Sequence, residues 1–136
     1  MNSISQQCEQ AHNNKYKIAQ LSSIQKKEIL KKIAGTLIEK TDSILIENKK
    51  DIENGISKKL NPALLDRLKL DQSRLEGIAT SILEIAELED PIGKTIEKWE
   101  RPNGLKIKKI TVPLGVIGMI YEARPNVTAD AISLAI

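Results

Sequence analysis

The residues best placed to do chemistry lie close to the C-terminal end of the sequence. There a near-continuous apolar run, Gly115-Val116-Ile117-Gly118-Met119-Ile120-Tyr121, gives way to Glu122-Ala123-Arg124-Pro125-Asn126 and then to Val127-Thr128-Ala129-Asp130-Ala131. The apolar run predicts a parallel strand buried on both faces, with glycines at 115 and 118 that allow a close approach. The polar stretch reads as a loop and the last segment as a helix that Asn126 can cap. In open α/β sheets the crossover from strand end to helix start is where ligands bind, because unpaired N–H groups and the helix dipole favour an anion such as phosphate. Spacing alone leaves this open, since a βαβ unit also needs a second strand. Elsewhere the chemistry is sparse. Cys8 is the lone cysteine and falls in the first helical segment; it reads as a buried or incidental thiol and not as a nucleophile. His12, the only histidine, stands among Asn13, Asn14 and Lys15 and reads as a surface residue, so no metal site is expected.

The elements ahead of this stretch are mostly helical. Cys8, Ala11, Ile18 and Leu21 recur at roughly helical intervals between Ser3 and Leu21. Ser22 followed by Gln25 is a capping-box arrangement, in which the hydroxyl accepts from a first-turn N–H while the Gln side chain reaches back. The helix it opens carries Ile29, Leu30, Ile33, Ala34, Leu37 and Ile38 on one face and Lys26, Lys27, Lys31 and Lys32 on a solvated one. Thr41 or Asp42 can cap the next helix, with Ile44, Leu45, Ile52 and Ile56, before Gly55 loosens the chain. Asn61-Pro62 pairs an N-cap with proline at the first helical position and opens a short helix through Leu64, Leu65 and Leu68. Asp71 caps a last helix striped by Leu75, Ile78, Ala79, Ile82, Ile85 and Ala86, with Asp90-Pro91 as its stop.

After Pro91 the composition changes to β-branched and turn residues. Arg101-Pro102-Asn103-Gly104 marks a turn between two strands, so residues 92–112 predict an antiparallel hairpin. Its alternation slips at Lys108-Lys109, which implies a bulge or a two-sided environment. A two-stranded ribbon leaves edges that must be covered or paired, and a second subunit is one way to do so. Trp99 reads as a packing anchor. The fold class is therefore α/β, with N-terminal amphipathic helices over 1–91, a hairpin ribbon over 92–112, and over 113–136 the first strand and helix start of a nucleotide-binding, Rossmann-like sheet.

Composition narrows the function classes. The 136 residues are 40% hydrophobic and 29% charged, apolar enough for a real core and for one modest domain. Lys and Arg number 21 against 18 Asp and Glu, a net charge of +3 dispersed along helix faces, and aromatics make up 2% with no Phe. Both the clustered basic stripe and the stacking platforms of a nucleic-acid binder are missing, so no nucleic-acid partner is expected. The longest apolar run, Val112 to Tyr121, is broken by Pro113 and two glycines and is too short to span a membrane. A single cysteine and no recognisable leader point to a reducing cytoplasm.

The residues themselves say more than their spacing. Val112-Pro113-Leu114-Gly115-Val116-Ile117-Gly118-Met119-Ile120-Tyr121-Glu122-Ala123-Arg124-Pro125-Asn126-Val127-Thr128 closely resembles a segment of the γ-glutamyl phosphate reductases, the glutamate-5-semialdehyde dehydrogenases. Tyr121 to Asn126 is its most specific tract. Leu21-Ser22-Ser23, Leu64-Leu65-Asp66-Arg67-Leu68, Arg74-Leu75 and Gly77-Ile78-Ala79 resemble the same family in register. The resemblance covers nearly all of the chain but only about the first third of such an enzyme.

The resemblance implies the aldehyde dehydrogenase superfamily: an NADPH-binding domain, a catalytic domain and a β-ribbon that mediates oligomerisation. It also implies the second step of proline biosynthesis. There a cysteine thiolate displaces phosphate from γ-glutamyl phosphate, and the thioester takes hydride from NADPH to release glutamate 5-semialdehyde. The family nucleophile would lie beyond Ile136, so residues 1–136 alone are expected to be inactive. Tyr121, Glu122 and Ala123 fall on the stretch that runs beside the cofactor. Arg124 is expected to bind an anionic group, since a guanidinium suits carboxylate and phosphate. The superfamily's oxyanion-hole asparagine corresponds by register either to Asn126 or to Arg124. The bland alternatives are that Asn126 only caps the helix and that Arg124 pairs with Glu122. A different class of function is a non-catalytic helical and β-ribbon association module.

Overall fold

The computed structural model describes residues 3–122 and 124–136. In chain order these form α1 (Ile4–Ala19), α2 (Ser23–Glu39), α3 (Thr41–Ser57), α4 (Pro62–Leu68), α5 (Gln72–Glu87), β1 (Thr95–Glu100), β2 (Lys106–Ile110) and α6 (Pro125–Ala135). The chain divides into two compact units, one of Met1–Leu21 with Glu89–Ile117 and one of Ser22–Leu88 with Gly118–Ile136.

In the first unit, α1 starts on a capping box between Ser3 and Gln6 and buries no residue. Cys8 is exposed on it. The two strands form an antiparallel hairpin with Trp99 opposite Ile107, Lys98 opposite Lys108 and Glu100 opposite Lys106. Arg101 and Gly104 close the turn, Gly104 N–H donating to the Arg101 carbonyl at 2.8 Å. Gly104 sits at φ +81°, a left-handed conformation that only glycine adopts without strain. The bulge expected at Lys108-Lys109 lies instead on the other strand, between Thr95 and Glu97. Thr111 fastens the base of the hairpin: its hydroxyl accepts from Lys94 N–H at 2.9 Å and donates to the Pro91 carbonyl.

The second unit holds the core. The Ser22–Gln25 capping box is present at the start of α2. Leu30 and Ala34 of α2 are buried against Ala79, Ile82 and Ala86 of α5, with Ile33, Leu37, Ile78 and Ile85 partly buried around them and Ala129 and Ile136 added from the α6 end. Three alanines in the contact let the two helices approach closely, and Ile82 is completely enclosed. Burying a side chain of that size contributes about 1.5–3 kcal/mol.

The helix boundaries correct several expectations. Lys40 is at once the C-cap of α2 and the N-cap of α3, so Thr41 is already helical and neither it nor Asp42 caps. Gly55 does not loosen the chain; it is buried inside α3, and a Cβ there would meet Leu65 Cδ2 at 2.8 Å. The helix ends two residues later, at Ser57, and closes through Lys59 at φ +57°, with Lys59 N–H donating to Ile56 O and Leu60 N–H to Gly55 O, a Schellman closure. Asn61 and Asp71 cap α4 and α5 as expected.

The larger correction concerns residues 115–121. No strand forms there; residues 111–122 carry neither helix nor ladder, and Leu114, Ile117 and Ile120 are exposed. An apolar run becomes a buried parallel strand only when neighbouring strands take up its N–H and C=O groups. Among the described residues the sheet has just two strands, β1 and β2. No helix of the described residues is long and apolar enough to cross a membrane.

Candidate functional site

The second unit contains a cleft of about 550 Å³ whose lining includes Asp66, Arg67, Lys69, Leu70, Arg74, Gly77, Ile78 and Ser81 on one side of the sequence and Arg124, Pro125, Asn126 and Asp130 on the other. Local sequence explains both groups. Asn61 accepts from Leu64 N–H at 2.9 Å and Pro62 takes the first helical position, so α4 is short and well started. It ends at Leu68, and two residues lead to the Asp71 cap, which accepts from Arg74 N–H at 2.8 Å.

That connector is held from two sides. Asn48, buried on α3, donates to the Leu68 carbonyl and accepts from Leu70 N–H, both at 2.8 Å. The Arg74 guanidinium donates to the carbonyls of Asp66 and Lys69 and pairs with Asp66 Oδ1 at 2.8 Å. Arg74 is thus committed to protein partners. Arg67, Lys69 and Arg124 are different: among the described residues none has a carboxylate within ion-pair distance. Asp66 is balanced by Arg74, so the cleft carries four cations against two acids, and three of the cations are uncommitted.

On the other side, proline dictates the start of α6. Pro125 pushes the residue before it out of the helical region, and Arg124 at φ −120° and ψ 104° becomes the N-cap, with no side-chain cap bond. Asn126 therefore does not cap the helix. It lies in the first turn, where its amide donates to Asp130 Oδ2 at 3.2 Å. Arg124 meets Glu122 only through the backbone, N–H to carbonyl at 2.7 Å, and the side-chain pair expected as the bland alternative does not form. Tyr121 bonds through its hydroxyl to Thr128 Oγ1 at 2.6 Å, tying the approach segment to α6. Glu122 is exposed, and Ala123 lies outside the described residues.

Arg124 and Asn126 are thus brought to one cleft, together with Arg67, Lys69 and Asp130, to which the sequence assigns no role. By sequence, Arg67 figures only within the stretch Leu64 to Leu68 and Asp130 only as part of the last helix, while Lys69 has no place. The signal available was charge: Asp66-Arg67-Leu68-Lys69 and Arg74 place three cations within eight residues, against Asp66 and Asp71. A second hollow, of about 520 Å³, is apolar and lined by Ile29, Ile33, Leu37, Ile44, Ile82 and Ala129 with Lys32, Thr36 and Lys40. No polar group converges in it beyond that fringe, so it offers no chemistry.

No protein-family model matches the chain. Individual relatives do. The γ-glutamyl phosphate reductase of Geobacillus sp. (strain WCH70) is 49% identical over 136 residues, all of this chain and 33% of the relative. That of Clostridium novyi is 52% identical over 120 residues, 88% of this chain and 29% of the relative. Among solved structures, γ-glutamyl phosphate reductase from Thermotoga maritima superposes with a TM-score of 0.96 at 32% identity, covering 98% of this chain and 32% of that one. The Saccharomyces cerevisiae protein of the same name gives 0.85 at 33% identity, covering 98% and 34%. The chain spans about a third of the length of the relatives it matches. In sequence and in fold alike, the chain resembles the N-terminal region of γ-glutamyl phosphate reductase.

Proposed function

We propose that residues 1–136 serve as the N-terminal part of an NADPH-dependent reductase that converts γ-glutamyl phosphate to glutamate 5-semialdehyde and phosphate in the cytoplasm, in proline biosynthesis. The observation that carries this reading is that Arg124, Pro125 and Asn126, the end of the most specific tract, line the cleft that gathers uncommitted cations. Arg124 binds an anionic group of substrate or cofactor there. Asn126, with its amide on the first turn of α6, is the neutral donor of the pair, suited to a developing oxyanion. The thiolate that forms the thioester belongs to residues outside these 136; Cys8 takes no part.

NADPH fits the residues present by charge, since its phosphates are anions and the cleft offers unpaired cations; Tyr121, Glu122 and Ala123 are the residues that would flank it. When bound it supplies the hydride. The hairpin serves as an oligomerisation ribbon: both strands are almost wholly exposed, including Trp99 and Ile110, and among the described residues nothing pairs with their outer edges.

The test captures the protein from its own cells with an antibody to the Arg101–Val112 hairpin, measures its intact mass, and assays phosphate-dependent reduction of NADP+ by glutamate 5-semialdehyde, the reaction run in reverse. Turnover by a species several-fold heavier than 15.1 kDa is expected. A heavy species without turnover refutes the reading. A second reading, a non-catalytic association module, is favoured by the exposed apolar side chains of Val112, Leu114 and Ile120. A 15.1 kDa species bound to a partner and without turnover would select it.

A further inference from the structure

We infer that Arg67 and Lys69 are anion-binding residues, which together with Arg124 make the cleft of the second unit a receptor for a phosphoryl group. The inference rests on the reading of Arg124 given above and extends it to the last turn of α4 and the connector that follows it.

Three observations carry it. Arg67, Lys69 and Arg124 line one cleft of about 550 Å³, and among the described residues none of the three has a carboxylate within ion-pair distance. The acid nearest in sequence, Asp66, is taken by Arg74, which leaves Arg67 without a neutralising neighbour. The connector is also immobilised. Asn48 and Arg74 between them satisfy the carbonyls of Asp66, Leu68 and Lys69 and the N–H of Leu70, so the backbone bearing Arg67 and Lys69 is fixed before any ligand arrives. Like charges gathered on a fixed wall repel one another, and an anion relieves that repulsion while paying little ordering entropy. A guanidinium offers paired donors suited to phosphate, and an ammonium beside it adds a point charge.

A phosphoryl group in this cleft could come from an acyl phosphate of an amino acid or from a nucleotide cofactor. Two probes separate the sources: O-phospho-L-serine, which carries phosphoryl and carboxylate together, and 2′,5′-ADP. Each is titrated into the isotope-labelled 136-residue chain while backbone amide shifts are followed. Saturable shifts centred on Lys69, Gly77 and Asn126 are expected with at least one probe, and the responding probe names the source. In the double variant Arg67→Gln/Lys69→Gln the dissociation constant should rise at least about tenfold, with helical content unchanged. If Arg67 serves only to complement the C-terminal end of α4, the double variant binds as the parent does and the inference fails. If Arg124→Gln alone weakens binding, Arg67 and Lys69 are excluded while the Arg124 reading stands. Shifts from neither probe, or shifts confined to the hairpin lysines, overturn the inference and leave the reductase reading to its turnover assay.

Discussion

Asn48 and Leu70 are joined by a hydrogen bond of 2.8 Å from the Leu70 N–H to the Asn48 side-chain oxygen, while the same amide donates to the carbonyl of Leu68 at 2.8 Å. One buried side chain thereby satisfies a donor and an acceptor on either side of Lys69, a residue of the cleft wall. Asn48→Leu leaves both backbone groups without partners and is expected to cost about 2–4 kcal/mol, measured by urea unfolding. A loss under about 0.5 kcal/mol would show that water replaces the latch at no cost.

The α2–α5 contact makes a sharper contrast. Ile82 of α5 is fully enclosed, whereas Ile38, on the apolar stripe of α2, is 43% exposed. Ile82→Ala is expected to destabilise by about 2–5 kcal/mol and Ile38→Ala by less than about 1, because only the first leaves a cavity. Equal losses would mean that the core is not centred on α5.

These pairs show what the sequence could and could not disclose. The α5 stripe was legible in full: Leu75, Ala79, Ile82 and Ala86 are buried and Ile78 and Ile85 half-buried, because helical periodicity and burial are two views of one geometry. Caps carried by Ser22, Asn61 and Asp71 were legible for the same local reason. Where a signal depended on distant partners it failed. Residues 115–121 have the composition of a buried strand, but composition does not supply the neighbouring strands. The Asn126 cap fails for a local reason, namely that Pro125 fixes its predecessor, Arg124, as the boundary. The cleft depends on residues of α4 and α6, some sixty positions apart in sequence, lining one hollow while α6 packs on α5, which no spacing rule encodes.

Ser133 offers a test in the stabilising direction. Its hydroxyl is buried on α6 with no hydrogen-bond partner among the described residues. Replacing it with alanine removes an unsatisfied polar group and improves helix propensity, so Ser133→Ala should raise stability by about 1 kcal/mol. A loss of stability in thermal melts would mean that the hydroxyl is bonded in solution.

Lys27 of α2 and Glu87 of α5 form an ion pair across the core helices. The hydrogen bond from Lys27 holds the Glu87 carboxyl below its usual range, with Lys27 and Lys31 adding charge attraction and partial desolvation opposing them. A carboxylate whose folded value lies below its unfolded value, about 4.3, stabilises the fold above that pH. The contribution is lost as pH falls through the folded value. The Tm difference between the parent and Glu87→Gln should therefore be present at neutral pH and close in strong acid. Both side chains reach solvent, so the difference should also shrink in high salt. A gap that widens on acidification would reverse the sign and reject the pair.

The most direct functional prediction separates Arg124 from Asn126 in a catalytically complete protein carrying these residues. A cation that holds an anionic group of the substrate acts in the ground state and the transition state alike, so Arg124→Ala should chiefly raise KM, lowering kcat/KM by about 10- to 100-fold. A neutral donor aimed at a developing oxyanion acts only in the transition state, so Asn126→Ala should lower kcat with KM little changed. Circular dichroism must show the same helical content in both, since Asn126 also bonds Asp130 and its loss could fray α6. Cys8→Ser, on an exposed face of α1, should leave both constants alone. If Arg124→Ala lowers kcat and Asn126→Ala is silent, then the guanidinium occupies the oxyanion position and the two assignments exchange. If both are silent, the tract serves folding, and the cations of the α4–α5 connector lose their partner in catalysis.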